Sequence, residues 1–88
     1  MSDTVFLMEQ RLASLSPERL TIRDDSAEHA GHAGARAGGG HYRLSIVSMQ
    51  FSGLSRVARH RLVYQALGDL MQIRIHALAI DALAPDES

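Results

Sequence analysis

The chain contains no cysteine and no lysine, and only two of its 88 residues are proline. The missing cysteine excludes a disulfide framework, a thiol nucleophile, and a zinc or iron–sulfur site built from the chain's own thiolates. Any metal ligand it supplies must be imidazole or carboxylate, and five histidines are present. The missing lysine removes the phosphate-binding residue of a Walker-type loop, and Gly38-Gly39-Gly40 also lacks the strand-to-helix setting. Charge of one sign is scarce too. Nine arginines against ten carboxylates leave a formal net charge of −1, which argues against a polyanion binder that works by bulk charge. Hydrophobic residues make up 45% of the chain, yet no run approaches the roughly 18 apolar residues of a membrane span. Met1-Ser2-Asp3-Thr4-Val5 has neither the basic start nor the apolar core of a signal peptide, and it is too acidic for a transit peptide. These absences predict one soluble domain over residues 1–88 in the reducing cytoplasm. Its core is modest, because a chain this short buries only about 60–65% of its unfolded surface.

The apolar residues that are present fall into two periodicities. Ser2 or Asp3 can cap a first helix, on which Val5, Met8, Leu12 and Leu15 share a face until Ser16-Pro17 ends it. Residues 20–24 and 42–49 alternate like half-buried strands, with Val47 breaking the second alternation. Ser55 is placed to cap a second helix whose apolar face (Val57, Leu62, Val63, Ala66, Leu67, Leu70, Met71) runs to about Met71. A final strand, 75–83, sets His76, Leu78 and Ile80 against Ala77, Ala79 and Asp81, before a polar tail at 84–88. The order α-β-β-α-β predicts an α+β domain with a three-stranded mixed sheet. Its first strand pair is antiparallel, its last is parallel through a right-handed crossover, and the helices cover one face.

Residues 25–41 stand apart as a long loop between the first two strands, holding five of the seven glycines and three of the five histidines. A connection of that length in a small domain is either functional or disordered. His76 opens the last strand, where it is either a partly buried, hydrogen-bonded histidine or a ligand held by a rigid strand end. His29 and His32, three apart in the loop, form only a weak metal pair without an anionic ligand. His41 marks the start of the second strand, and His60 falls near the buried face of the second helix. No paired carboxylates, nucleophile elbow or phosphate loop supports an enzyme.

Several short strings nonetheless occur in a distinctive order. Phe51-Ser52-Gly53-Leu54-Ser55, Arg59-His60-Arg61-Leu62-Val63, Ile75-His76-Ala77-Leu78 and Pro85-Asp86-Glu87, with Asp25-Ser26, His29 and His41-Tyr42 upstream, together resemble the BolA family over nearly the whole chain. The resemblance implies a fold like that of class II KH domains, although the single Gly53 lacks their nucleic-acid-clamping GxxG. It also implies a non-enzymatic role beside a monothiol glutaredoxin with a CGFS motif, in a heterodimer that holds a bridged [2Fe–2S] cluster for iron–sulfur trafficking or iron regulation. The glutaredoxin cysteine and glutathione supply thiolates, and the BolA side supplies one histidine from its last strand and a histidine or cysteine from its loop. Carried over by position, the strand ligand is His76. The loop ligand is His29, four residues after Asp25, with His32 as the alternative because this loop is longer. The isolated chain would hold no cofactor permanently. Imidazole in place of thiolate reduces negative charge at the cluster and raises its potential, and because it must be neutral to bind, acid should weaken the site.

A second reading comes from the same resemblance. Bacterial members are described as transcriptional regulators of morphology and stress genes, and residues 53–67 can be viewed as helix-turn-helix-like. Arg43, Arg56, Arg59 and Arg61 would then contact DNA phosphates; otherwise they form a solvated face that docks an acidic partner patch.

Overall fold

The structure, a computed structural model, describes residues 3–26 and 40–88. Helix α1 (Asp3–Leu12) continues into a 3-10 turn, Ala13–Leu15. Met8, Leu12 and Leu15 are buried and Val5 packs against the same cluster, as their spacing predicts. The helix stops where expected. Ser16 takes a left-handed φ of 48°, which turns the chain ahead of Pro17.

Strand β1 (Arg19–Asp24) pairs antiparallel with β2 (Gly40–Val47), and β2 pairs parallel with β3 (Ile75–Leu83), giving the sheet order β1-β2-β3. The predicted α+β domain with a three-stranded mixed sheet is therefore present. Tyr42, Leu44 and Ile46 of the central strand face α1 and the second helix in one buried cluster, whereas Arg43 on the other side is exposed. Strand β2 ends at Val47 and not at Met49, because Ser48 leaves the ladder. The fully buried Ser48 hydroxyl donates to Leu15 O at 2.6 Å and accepts from Gln50 N at 3.1 Å, capping a 3-10 turn at Met49–Phe51. One hydroxyl thus ties the end of α1 to the end of β2, a role the alternating pattern concealed.

Helix α2 spans Arg56–Leu67, and the predicted cap is in place: Ser55 Oγ accepts from Ala58 N at 3.1 Å. The helix is shorter than its apolar pattern implied. Gly68 takes φ 56° and its N–H donates to Tyr64 O, so the apolar residues beyond belong to a separate short helix, α3 (Leu70–Ile73). Arg11 reaches over from α1 to close this end, donating to Leu67 O and Asp69 Oδ1, each at 2.9 Å. Val57 is not part of the buried face; it is 59% exposed, while Val63 and Leu67 are sealed. At 100° per residue Val57 falls well off the Val63–Leu67 stripe, whereas Arg59, four before Val63, falls on it.

That placement gives Arg59 a structural task. Its side chain is only 12% exposed. It donates to Leu54 O at 3.0 Å, to Ala82 O at 3.1 Å, and to both carboxylate oxygens of Glu87. Glu87 lies in the 3-10 turn Pro85–Glu87 and also accepts from Ala84 N at 2.8 Å. The Arg59 guanidinium and this backbone N–H hold its carboxyl at about 2, below the ordinary value of 4.5. A depressed carboxylate stabilises the fold fully above its unfolded-state pKa, and that contribution is lost as the pH falls through about 2. Denaturant midpoints at pH 6 and pH 3 should therefore fall further for the wild type than for Glu87→Gln. Equal falls would show that the Arg59–Glu87 latch contributes nothing to folding.

Candidate functional site

Strand β3 does not run in even register beside β2. Gly40 pairs with Ile75, but His41 pairs with Ala77, so His76 is the extra residue of a bulge in a parallel pair. The bulge resets which residues face the core. Ile75 points inward at 4% exposure and Leu78 and Ile80 also pack on the core, while His76 and Ala77 between them are both exposed. The sequence pattern placed His76 on one face with Leu78 and Ile80. That expectation is corrected here: one inserted position turns its ring out to the side not covered by the helices.

There the imidazole meets a second one. His41, the second residue of β2, lies with its ring centroid 5.2 Å from that of His76 and the planes inclined by 49°. Sequence reasoning placed His41 only at the start of the second strand. The signal for pairing it with His76 was the neighbouring position of both residues at the start of adjacent parallel strands, but the bulge is not visible in the pattern.

The main chain around His41 is fixed from both sides. Asp25 N donates to His41 O at 2.8 Å, and His41 N donates to Ser26 Oγ at 3.1 Å. Gly40 N donates to Arg74 O at 3.1 Å, just ahead of β3. The long loop is thus rooted beside the histidine pair at both ends. Its predicted ligands, His29 and His32, lie outside the described residues.

A largely buried carboxylate, Asp25, gathers the arginines at this end of the sheet. Asp25, 11% exposed, receives Arg23 Nε at 2.6 Å and Arg23 Nη2 at 3.3 Å, with Arg43 Nε at 3.7 Å. Asp25, His41, Tyr42 and Arg43 line one side of a shallow cleft of about 300 Å³, and Ala77, Leu78 and Ala79 line the other. The small Ala77 and Ala79 side chains leave the open sheet face accessible near the histidines. Among the described residues no group of three or more histidine, cysteine, aspartate or glutamate side chains converges on a metal. Metal held here would therefore need donors from beyond them.

The sequence and the fold are similar to those of known proteins. The family model for BolA-like protein matches residues 12–87. The chain belongs to the BolA-like family. It is 39% identical over 89 residues to an uncharacterized Sinorhizobium protein, covering 99% of this chain and 96% of that one. It is 44% identical to mouse BolA-like protein 1 over 82% of this chain, but spans only 50% of that protein's length. Among solved structures, the BolA domain of SufE1 from Arabidopsis thaliana superposes with a TM-score of 0.86 at 37% identity, covering 100% of this chain and 99% of that one. BolA1 from the same plant gives 0.83 at 35%, with 100% and 99% covered.

Within this BolA-like fold the four arginines proposed for nucleic acid do not share a surface. Arg43 is on the open sheet face, paired with Asp25. Arg56 and Arg61 are exposed on α2, which packs across the opposite face. Arg59 is committed to Glu87 and two carbonyls. Residues 53–67 comprise a turn and α2, preceded by a three-residue 3-10 turn, so the first helix of a helix-turn-helix is missing. His60 is half-buried on α2, consistent with the place its spacing gave it. Among the described residues no helix is long and apolar enough to cross a membrane.

Proposed function

We propose that this chain is a non-enzymatic, cytoplasmic partner of a monothiol CGFS glutaredoxin. It co-ligates a bridged [2Fe–2S] cluster through His76 and one loop histidine, His29 or, in its place, His32. The observation that carries this reading is the exposed His76 ring, held in a bulge beside the roots of the histidine-bearing loop. A ligand to a shared cluster must be reachable from a second protein while its backbone stays fixed, and His76 meets both needs. The donor chemistry also fits, because neutral imidazole binds iron and a chain without cysteine must leave thiolate to its partner. When bound, the cluster would be the cargo or the iron signal that the heterodimer handles.

This chain's own residues do the positioning. The Asp25 and Ser26 contacts to His41 hold the start of β2 against β1, and Ile75 anchors the start of β3 in the core. Arg23 and Arg43 offset the Asp25 charge close to the site, which favours approach of an anionic glutathione-bearing centre. To test the reading, a CGFS glutaredoxin is loaded with iron, sulfide and glutathione, this protein is added, and visible circular dichroism is recorded. The wild type should convert the spectrum to a new form that His76→Ala does not produce. A spectrum unchanged by the wild type, or changed equally by His76→Ala, would overturn the proposed ligation.

A further inference from the structure

The His41–His76 contact has the spacing of ordinary tilted rings, and the same spacing suits two ligands of one metal. Two imidazoles bound to one tetrahedral metal at about 2.0–2.1 Å from each nitrogen place their ring centroids about 5 Å apart. The observed separation is 5.2 Å, with planes inclined by 49° and not stacked flat. His76 is exposed and His41 is half-buried with its Nε2 sealed from solvent, so the two rings meet at the edge of the open sheet face.

We propose that His41 and His76 form a two-imidazole chelate for a single borderline divalent transition-metal ion, Zn²⁺ or Cu²⁺, within one copy of this chain. Imidazole is a preferred donor for both ions. Each histidine sits on a backbone already fixed by the fold: His41 by Asp25 and Ser26, and His76 by the bulge between the buried Ile75 and Ala77. Little conformational freedom is therefore lost on binding. Asp25 is the carboxylate that lines the adjoining cleft, but it is engaged by Arg23 and Arg43. Water supplies the remaining coordination from the side of the exposed His76.

The chelate shares His76 with the proposed cluster site but does not rest on it, since it needs neither glutaredoxin nor sulfide. It assigns His41 a metal-binding role separate from His29 and His32.

The test is isothermal titration of the isolated, folded protein with Zn²⁺. One equivalent should bind. His41→Ala and His76→Ala should each weaken binding about tenfold or more, as expected when one of two donors is lost. The double variant His29→Ala/His32→Ala should bind like the wild type. Because His41→Ala removes a residue at a strand start, the wild type is also followed by imidazole ¹⁵N resonances. Zn²⁺ should shift those of His41 and His76 and leave His60 unchanged. Wild-type affinity in His41→Ala, loss of binding in the loop double variant, or a titration that leaves the His41 ring resonances in place would each overturn the chelate.

Discussion

Ile75→Ala should lower the unfolding free energy by about 2–5 kcal/mol, the usual cost of emptying a buried aliphatic site. It should also weaken ligation through His76, a residue on the other side of the strand. Ile75 is 4% exposed and belongs to the core cluster. The sheet buries Ile75 and Leu78 together only because the bulge inserts one extra residue between their inward-facing positions. Without the isoleucine anchor, regular pairing in phase with Leu78 and Ile80 is no longer opposed, and that phase points His76 inward. Urea unfolding measures the first effect, and Zn²⁺ affinity or the glutaredoxin-dependent spectrum measures the second. A large stability loss with wild-type ligation would show that the bulge holds without Ile75.

Gly40→Ala acts on the other strand. A Cβ at this position would lie 2.5 Å from Tyr42 Cε2 and Oη and 2.7 Å from Cζ, so the ring covers the place a side chain would occupy. Tyr42 is itself 7% exposed within the core, which leaves its ring little room to retreat. Overpacking of this kind costs about 1–3 kcal/mol. The strain falls one residue from His41 and at the Gly40–Ile75 pair where the register slips. We expect a lower denaturant midpoint together with altered His41 imidazole resonances. An unchanged midpoint would show that Tyr42 adopts another rotamer without loss.

The success of sequence reading varied with how local the deciding physics was. The α1 face, the Ser55 cap, the three strands and their directions were legible, because a stop at Pro17, a period of two and a short crossover are properties of neighbouring residues. The end of α2 was misread because an apolar pattern continues through Gly68, whose positive φ divides it into two helices. Arg59 was counted among solvated arginines although it lies four residues before buried Val63. Its partner, Glu87, is 28 residues away and could not be found by local spacing. His76 was singled out as a candidate by the resemblance to the BolA family, but its orientation was read from strand parity, which one bulge reverses. His41 was left at the strand start because bringing it beside His76 depends on the β2–β3 register, a tertiary property.

The central claim is that an imidazole of this chain binds the iron of a cluster shared with a glutaredoxin. The most direct measurement is hyperfine spectroscopy of the reduced heterodimer, prepared with ¹⁵N-histidine in this chain alone. The account predicts strong ¹⁵N coupling to the cluster spin, with one coupled nitrogen lost in His76→Ala. A cluster-loaded heterodimer showing no ¹⁵N coupling, or the same couplings in His76→Ala, would contradict it.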